Sequence, residues 1–382
     1  MIRKYQLIND GQYKLNKISL ERCFMRVAVI GAGIAGLSCA IVLEKNGILP
    51  TVFEKTSFIG EREQHVGAIL NIMNRPVKDP LKYIKQTFDI EITPINTVNI
   101  LTHYSPNQKT SITGNFGYFT KRDQEENSIK KQLFAQLKKT EVLLNREVNY
   151  KQLIGEYDYV VAADGKPDIA EELGCWTDWI RGYIKGAVIE GEFNPNELVI
   201  WLDQTYCKNG YAYLTPFSSK KASISLYVPY TDVNEIDHYW DKFIQKEQIK
   251  SRIVETFKVY HCSGQVYPHR VDNLFLAGNT GGAIDPFLGF GQIKSISMGG
   301  MAARAIIEGS DYEKLIRQFY KSTLNLYELR KSFNTITNKQ FDFIVKSLGF
   351  PGVKLIIYDT PLNVIKYGAF VLKWKRKIKG IQ

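Results

Sequence analysis

No two of the five cysteines form a CxxC pair; Cys23, Cys39, Cys175, Cys207 and Cys262 are scattered singly. The spacing of a zinc or redox motif is therefore absent, and an odd number of isolated cysteines argues against the disulfide framework of a small secreted protein. A reducing cytoplasm is the expected compartment. No run of eighteen uncharged apolar residues occurs, so hydropathy predicts no membrane-spanning helix. Residues 1–24 lack the apolar core of a signal peptide and carry charges throughout. Internal repeats and low-complexity linkers are lacking too. Acidic charge is scarce at one end: from Lys339 onward there are nine basic residues against two acidic ones, in a chain of formal net charge +11. Basicity gathered in a tail is not a groove for nucleic acid, and no nucleic-acid partner is expected.

What is there suits two or three structural units. The 382 residues are 44% hydrophobic and 12% aromatic, with 22 tyrosines and 20 phenylalanines, enough for real cores and for pockets lined by rings. The first strand pattern is RVAVI (26–30), so residues 1–24 read as a leader to a fold that begins at Met25. A helical pattern ending at Gly47 follows, and a second strand, TVFEK (51–55), completes a β-α-β unit. Residues 125–139 place Ile129, Leu133, Phe134 and Leu137 on one face of a predicted helix. YDYVVAADG (157–165) and VDNLFLAGN (271–279) read as buried strands. Between residues 180 and 230 the runs AVIEGEF, LVIWLD, YAYLTPF and ASISLYV, parted by polar turns, predict a mixed sheet. Beyond Gly299 the pattern is mostly helical.

Between the first strand and its helix stand Gly31, Ala32, Gly33, Ile34, Ala35 and Gly36. In a GxGxxG loop so placed, the first glycine permits the tight turn, the second admits a pyrophosphate to the backbone, and the third lets helix and strand pack closely. The phosphates would sit against the unsatisfied N–H groups of the helix N-terminus. Glu54, eighteen residues past Gly36, is placed for a carboxylate that hydrogen-bonds an adenosine ribose and repels a 2′-phosphate, which disfavours NADP. The unit predicts a dinucleotide site without separating NAD from FAD.

A second glycine-rich stretch separates them. GNTGGAIDPFLGFG (278–291) holds five glycines in fourteen residues. An NAD enzyme has no need of a second close backbone approach so far along the chain, whereas the ribityl chain and ring of a flavin do. The stretch resembles the GDAAGxxxPxxGxG segment of the geranylgeranyl reductase-like branch of FAD-dependent oxidoreductases, relatives of the aromatic hydroxylases. Gly278, Gly282, Pro286, Gly289 and Gly291 are the matched positions. The resemblance implies that Asn279 faces the ribityl hydroxyls, and that N–H groups near Gly291 and Gln292 face the flavin N1/O2 edge. Asn279 stands for the family's Asp, which implies weaker retention of FAD.

The resemblance extends further. YVVAADG (159–165) is similar to the family's DG motif, which implies that Asp164 and Gly165 help hold the pyrophosphate; Arg122 falls where the family has a basic residue near the flavin phosphates. Lys55 and Val148 complete the expected cofactor contacts. KNGYAYLTPF (208–217) resembles the PxxYxWxFP segment that lines a prenyl tunnel: Tyr211 and Pro216 match, Tyr213 stands for Trp, and Lys208 and Thr215 depart. The family's Cys-Gly pair is absent; His65 stands where the Cys would be and reads as a surface residue. Gly282 occupies the position of a histidine in the aromatic hydroxylases, and Trp176 and Trp179 lack the spacing and proline of the halogenases' WxWxIP.

The expected class is α/β: a Rossmann-type FAD-binding domain (25–90 with 112–168 and 271–310), an inserted mixed β-sheet substrate domain (91–111 with 169–270), and a helical C-terminal region (311–382) with a basic tail. The resemblance implies an FAD-dependent oxidoreductase that reduces double bonds of an isoprenoid lipid. One dinucleotide fingerprint leaves electrons to come from transiently bound NAD(P)H or from a protein donor. An isolated alkene has no carbonyl to absorb charge, so a proton must arrive with the hydride. No residue presents itself as that acid. Two alternatives stand beside this reading: a monooxygenase of the aromatic hydroxylase type, and a non-catalytic prenyl-lipid carrier. The tail GAFVLKWKRKIKG (368–380) mixes Phe370, Val371, Leu372, Trp374 and Ile378 with five basic residues, so a cytoplasmic protein in peripheral contact with an anionic membrane is expected.

Overall fold

The structure is a computed structural model that describes residues 25–360 and 362–378, with the backbone alone for 374–378. The leader at 1–24, with Cys23, lies outside the described residues, as do the side chains of Trp374, Lys375, Arg376, Lys377 and Ile378 and all of 379–382.

The strands are β1 (Val27–Ile30), β2 (Thr51–Phe53), β3 (His65–Leu70), β4 (Asn96–Ser105), β5 (Gln108–Arg122), β6 (Glu141–Leu143) and β7 (Tyr159–Ala162), then β8 (Trp176–Glu190), β9 (Glu197–Trp201), β10 (Tyr211–Pro216), β11 (Lys221–Pro229), β12 (Arg252–Val266), β13 (Arg270–Val271) and β14 (Leu274–Leu276). The longer helices are α1 (Ile34–Lys45), α2 (Pro80–Phe88), α3 (Ile129–Phe134), α4 (Ile236–Lys246), α5 (Gln292–Glu308), α6 (Tyr312–Phe333), α7 (Asn338–Leu348) and α8 (Val364–Ile378).

All four residues of β1 are buried, as a parallel strand covered on both faces requires. It pairs in parallel with β2 and β7, β7 pairs with β14, and β2 with β6, giving a six-stranded sheet in the order β13-β14-β7-β1-β2-β6. Helix α1 crosses from β1 to β2 and is buried from Ile34 to Leu43, because α5 covers the side that faces away from the sheet. That contact is backbone to backbone. A Cβ on Gly299 of α5 would lie 2.1 Å from the carbonyl oxygen of Ala35, and one on Gly36 would lie 2.0 Å from that of Gly31.

The second sheet has eight strands in the order β12-β8-β11-β10-β9-β4-β5-β3. It is mixed, as the sequence predicts, because β4 and β9 run parallel while its other neighbours are antiparallel. It also takes in β3 and β5, which the sequence assigned to the cofactor domain at 25–90 and 112–168. The cause is the length of β5, which pairs with β4 on one side between Gln108 and Phe119 and with β3 on the other from Gly117 to Arg122. One face of the sheet is closed by α4 through Trp240 and Phe243.

The helix predicted over 125–139 is confined to Ile129–Phe134. Beyond it the chain tightens into i→i−3 turns at Gln136 and Leu137, which leaves Phe134 exposed while Ile129 and Leu133 reach the core.

The glycine contacts give a first prediction. Gly36→Ala or Gly299→Ala should cost about 3 kcal/mol or more, because backbone atoms, not a flexible side chain, occupy the space. Gly155→Ala, in a helix with nothing within 4 Å of its Cβ position, should stabilise by up to about 1 kcal/mol. Urea unfolding of the three variants separates the two outcomes.

Candidate cofactor and substrate site

The carboxyl ends of β1, β7 and β14 meet at one edge of the first sheet, where open α/β sheets bind ligands. Gly31 there has φ +96°, and its Cβ would lie 2.6 Å from the Ala163 carbonyl oxygen, so the fold itself demands that glycine. Gly33 differs. Its Cβ would meet only the Ala163 oxygen at 3.7 Å, an ordinary contact, so the protein's own packing makes no such demand. Ala32, Ile34 and Ala35 are buried and would meet a ligand through their backbones. The N-terminus of α1 has Gly33 at its cap, no side-chain cap and no acidic residue in its first turn, which leaves donors and the positive dipole end open to an anion. The Glu54 carboxylate is held at the mouth of this loop. It accepts from the Ala32 N–H at 2.8 Å, and from the Thr56 N–H and hydroxyl at 2.9 and 2.8 Å. Lys55 beside it is exposed. Val148 is half-buried and packs in an apolar cluster with Phe53.

Thr280, which sequence reasoning passed over, joins the other two motifs. Its buried hydroxyl donates to Asp164 Oδ1 at 2.7 Å and accepts from the Gly165 N–H at 3.1 Å. Its signal was a hydroxyl in a turn where the related segment has Ala. Gly278, at φ +64°, stands so close to α1 that its Cβ would lie 2.7 Å from that of Ala35; half-buried Asn279 follows it. The buried Asp285 carboxylate then accepts from the N–H groups of Phe287, Leu288 and Phe290 at 2.9, 2.8 and 2.7 Å, which shapes the loop up to Gly289. Gly291 caps α5, again without a side-chain cap. The Gln292 side chain is taken up elsewhere: its Oε1 accepts from the Thr120 hydroxyl at 2.8 Å, and Gly67 has no room for a Cβ because Gln292 Nε2 lies 2.4 Å from that position.

Two expectations are corrected. Arg122 is not a free cation: its Nη2 pairs with Glu61 Oε1 at 2.5 Å, and Lys130 reaches the same oxygen at 3.3 Å. Burial works to raise the pKa of Glu61, but Arg122 and Lys130 outweigh it and hold the carboxyl well below the usual range. His65 is half-buried, not on the surface, with Nδ1 3.1 Å from the Glu63 carbonyl oxygen. Burial, reinforced by Arg122, pushes it down to about 4, so it is a neutral imidazole at physiological pH and not the imidazolium that a proton donor would need.

Tyr211 and Tyr213 stand on one face of β10 with ring centroids 5.8 Å apart. The Tyr211 hydroxyl donates to the carbonyl of Leu288, and Tyr213 packs with Phe287, Leu288 and Phe290. Pro216 parts from them. Strand alternation turns it to the opposite face, opposite Ala222 of the α4-side core. Two residues not read from the sequence complete the wall: Tyr227, 5.8 Å from the Tyr211 ring, and His261, 4.8 Å from Tyr227. A Cβ on Gly289 would lie 3.0 Å from His261 Cε1 and 3.5 Å from the Tyr211 hydroxyl, so this loop rests against the wall.

A model of NAD(P)-binding Rossmann-like domains matches residues 29–66. The chain is 24% identical, over 85% of its length and 90% of the relative's, to the digeranylgeranylglycerophospholipid reductase of Methanocaldococcus jannaschii. It resembles the geranylgeranyl reductases. Among solved structures, a geranylgeranyl bacteriochlorophyll reductase-like protein from Thermoplasma acidophilum superposes with a TM-score of 0.68 at 18% identity, over 91% of this chain and 95% of that one. A flavin-dependent brominase, Bmp2, has a TM-score of 0.64 at 14% identity, over 92% and 99%. These likenesses show the fold alone. Trp179 stacks on Tyr327 at 4.3 Å, so it packs helix α6 onto β8.

Two predictions follow from this geometry. Gly33→Val should abolish flavin retention while the thermal midpoint stays within a few degrees of the parent; normal flavin content in the variant would remove the pyrophosphate assignment. The second concerns acid. His65, His103 and His261 are each held down to about 4, first by burial, against an ordinary value of 6.5. The folded protein keeps them neutral while the unfolded chain binds protons below pH 6.5, so stability is full above that pH and falls as pH drops toward 4. The slope should be about 1.4 kcal/mol per pH unit for each histidine. His103→Gln should flatten the fall between pH 6.5 and 5 by about a third, read from urea midpoints.

Proposed function

We propose that this chain is an FAD-dependent oxidoreductase that saturates double bonds of an isoprenoid lipid, with electrons from transiently bound NAD(P)H or a protein donor. One observation carries the reading: the aromatic wall of Tyr211, Tyr213 and Tyr227 lies against the same 285–291 loop that leads into the uncapped N-terminus of α5. The residues fit a flavin dinucleotide. Gly33 leaves room that the protein does not use, and two long helices present open N-termini toward one edge. The GxGxxG loop and Glu54 would hold the adenosine diphosphate, Asp164, Gly165, Gly278 and Asn279 the middle of the cofactor, and the N–H groups at Gly291 and Gln292 the ring edge. A reduced flavin held there would supply a hydride, one hydrogen with two electrons, to one alkene carbon, and a proton must reach the other.

The chain's own part is alignment and exclusion of water. Burial raises the pKa of Tyr211 and Tyr213, so both stay protonated and neutral beside an apolar ligand. A digeranylgeranylglycerophospholipid, the lipid in the relative's name, has the long unsaturated chains that such a wall would straighten.

Tyr213→Ala should leave flavin content intact and lower turnover of a prenyl substrate at least tenfold. Flavin that is bleached by dithionite and reoxidised by a prenyl lipid supports the reading. Reoxidation driven by small phenols with oxygen uptake supports the hydroxylase instead, and protein that takes up no FAD supports the carrier.

A further inference from the structure

The C-terminal helices expose what a soluble surface normally hides. Phe350, Leu355, Ile356, Tyr367, Phe370 and Val371 are all more than half exposed, Phe370 to 70%. Of these, Ile356, Tyr367 and Phe370 share one groove, and exposed apolar surface gathered in this way marks an interaction site. The groove, of about 1500 Å³, runs between α6 and α8, with Leu315, Leu324, Ile365 and Phe370 among its lining.

The charge along that groove is one-sided. Arg75, Lys314, Arg317, Lys321, Lys366 and Lys373 line it, against the single acid Glu328. Lys314 pairs with Asp311, but Arg317, Lys321, Lys366 and Lys373 form no ion pair among the described residues. Like charge on this rim opposes a symmetric contact with a second copy, which would set the same basic residues against each other. It favours an anionic partner with an apolar interior. No single described helix is long and apolar enough to cross a membrane; segments 351–359 and 364–373 reach that apolarity only together, and they are bent by 106°. The basic rim beside the pair suits a seat at an interface, where cations meet lipid phosphates.

We infer that residues 350–373 and the basic groove beside them seat the protein on an anionic lipid surface. Phe350, Leu355, Ile356, Phe370 and Val371 enter the acyl boundary, and Lys321, Lys366 and Lys373 meet lipid phosphates. The inference is read from surface chemistry and stands apart from the redox reading, although a lipid substrate would give it a purpose.

Co-sedimentation of the flavin-loaded full chain with vesicles of phosphatidylcholine, with and without phosphatidylglycerol, tests it. Binding is expected to the anionic vesicles and to weaken with salt. Lys321→Ala with Lys366→Ala should lower partitioning about tenfold or more. Phe370→Asp should do the same with every lysine in place; Val371→Asp serves if that variant loses its flavin. Absence of wild-type binding overturns the inference. So does wild-type binding by both aspartate variants, or a vesicle-independent dimer that either one breaks. Binding lost on deletion of 374–382 yet untouched by the aspartates assigns the contact to the tail and overturns it as well. Vesicle binding without turnover of detergent-dispersed prenyl lipid would sink the proposed reaction and leave this inference standing.

Discussion

Everything at the site depends on how closely α1 lies between β1 and α5. Gly36 brings the helix down onto the Gly31 turn, and Gly299 brings α5 onto the Ala35 carbonyl from the other side. Gly278 closes the third approach, against the Ala35 side chain. Three glycines from distant parts of the sequence thus meet one turn of one helix. The result is that the first phosphate loop and the 278–291 stretch share a floor. Any side chain in those contacts would separate the two loops and widen the span between them.

Polar side chains then fix the loops while the starts of α1 and α5 keep no side-chain cap. Thr280 ties Asp164 and Gly165 to the second stretch, Asp285 folds its own loop by accepting three N–H groups, and Thr120 takes the Gln292 amide out of the way. In each case a side chain does the holding. The N-termini of α1 and α5 are left without side-chain caps. An uncapped helix start beside well-satisfied loops is a site shaped for an anion and for a ring that accumulates negative charge.

Much of this was legible in the sequence because it rests on local rules. The β1–α1–β2 unit, the strand at 159–162 and the mixed sheet follow from periodicity and glycine spacing, and the structure has each of them. What was not legible depends on pairing at long range. The partner of Arg122 is Glu61, sixty-one residues away, and no spacing rule announces it. Tyr227 and His261 join the wall only because β11 and β12 lie in the same sheet as β10. Pro216 was grouped with Tyr211 and Tyr213 by motif, while the two-residue alternation of a strand sends it to the other face. The reach of β5 across both units was hidden for a similar reason, since a fifteen-residue strand lies between β4 and β3 and joins them.

The distribution of charge links the two ends of the molecule. Around the cofactor edge the more buried cations are committed, Arg122 and Lys130 to Glu61, and the buried Lys294 to the Thr323 hydroxyl within reach of the Asp285 charge, while Lys55 is exposed. An anion bound there is met by N–H dipoles in a partly enclosed setting, where added salt screens little. At the C-terminal groove the opposite holds, because its uncommitted lysines and arginine face solvent and are screened within about 10 Å at ordinary ionic strength. A chain of net charge +11 thus gathers unpaired positive charge beside its exposed apolar helices. The two settings therefore differ in kind as well as in place: one offers fixed dipoles in a cradle, the other mobile charge at a surface.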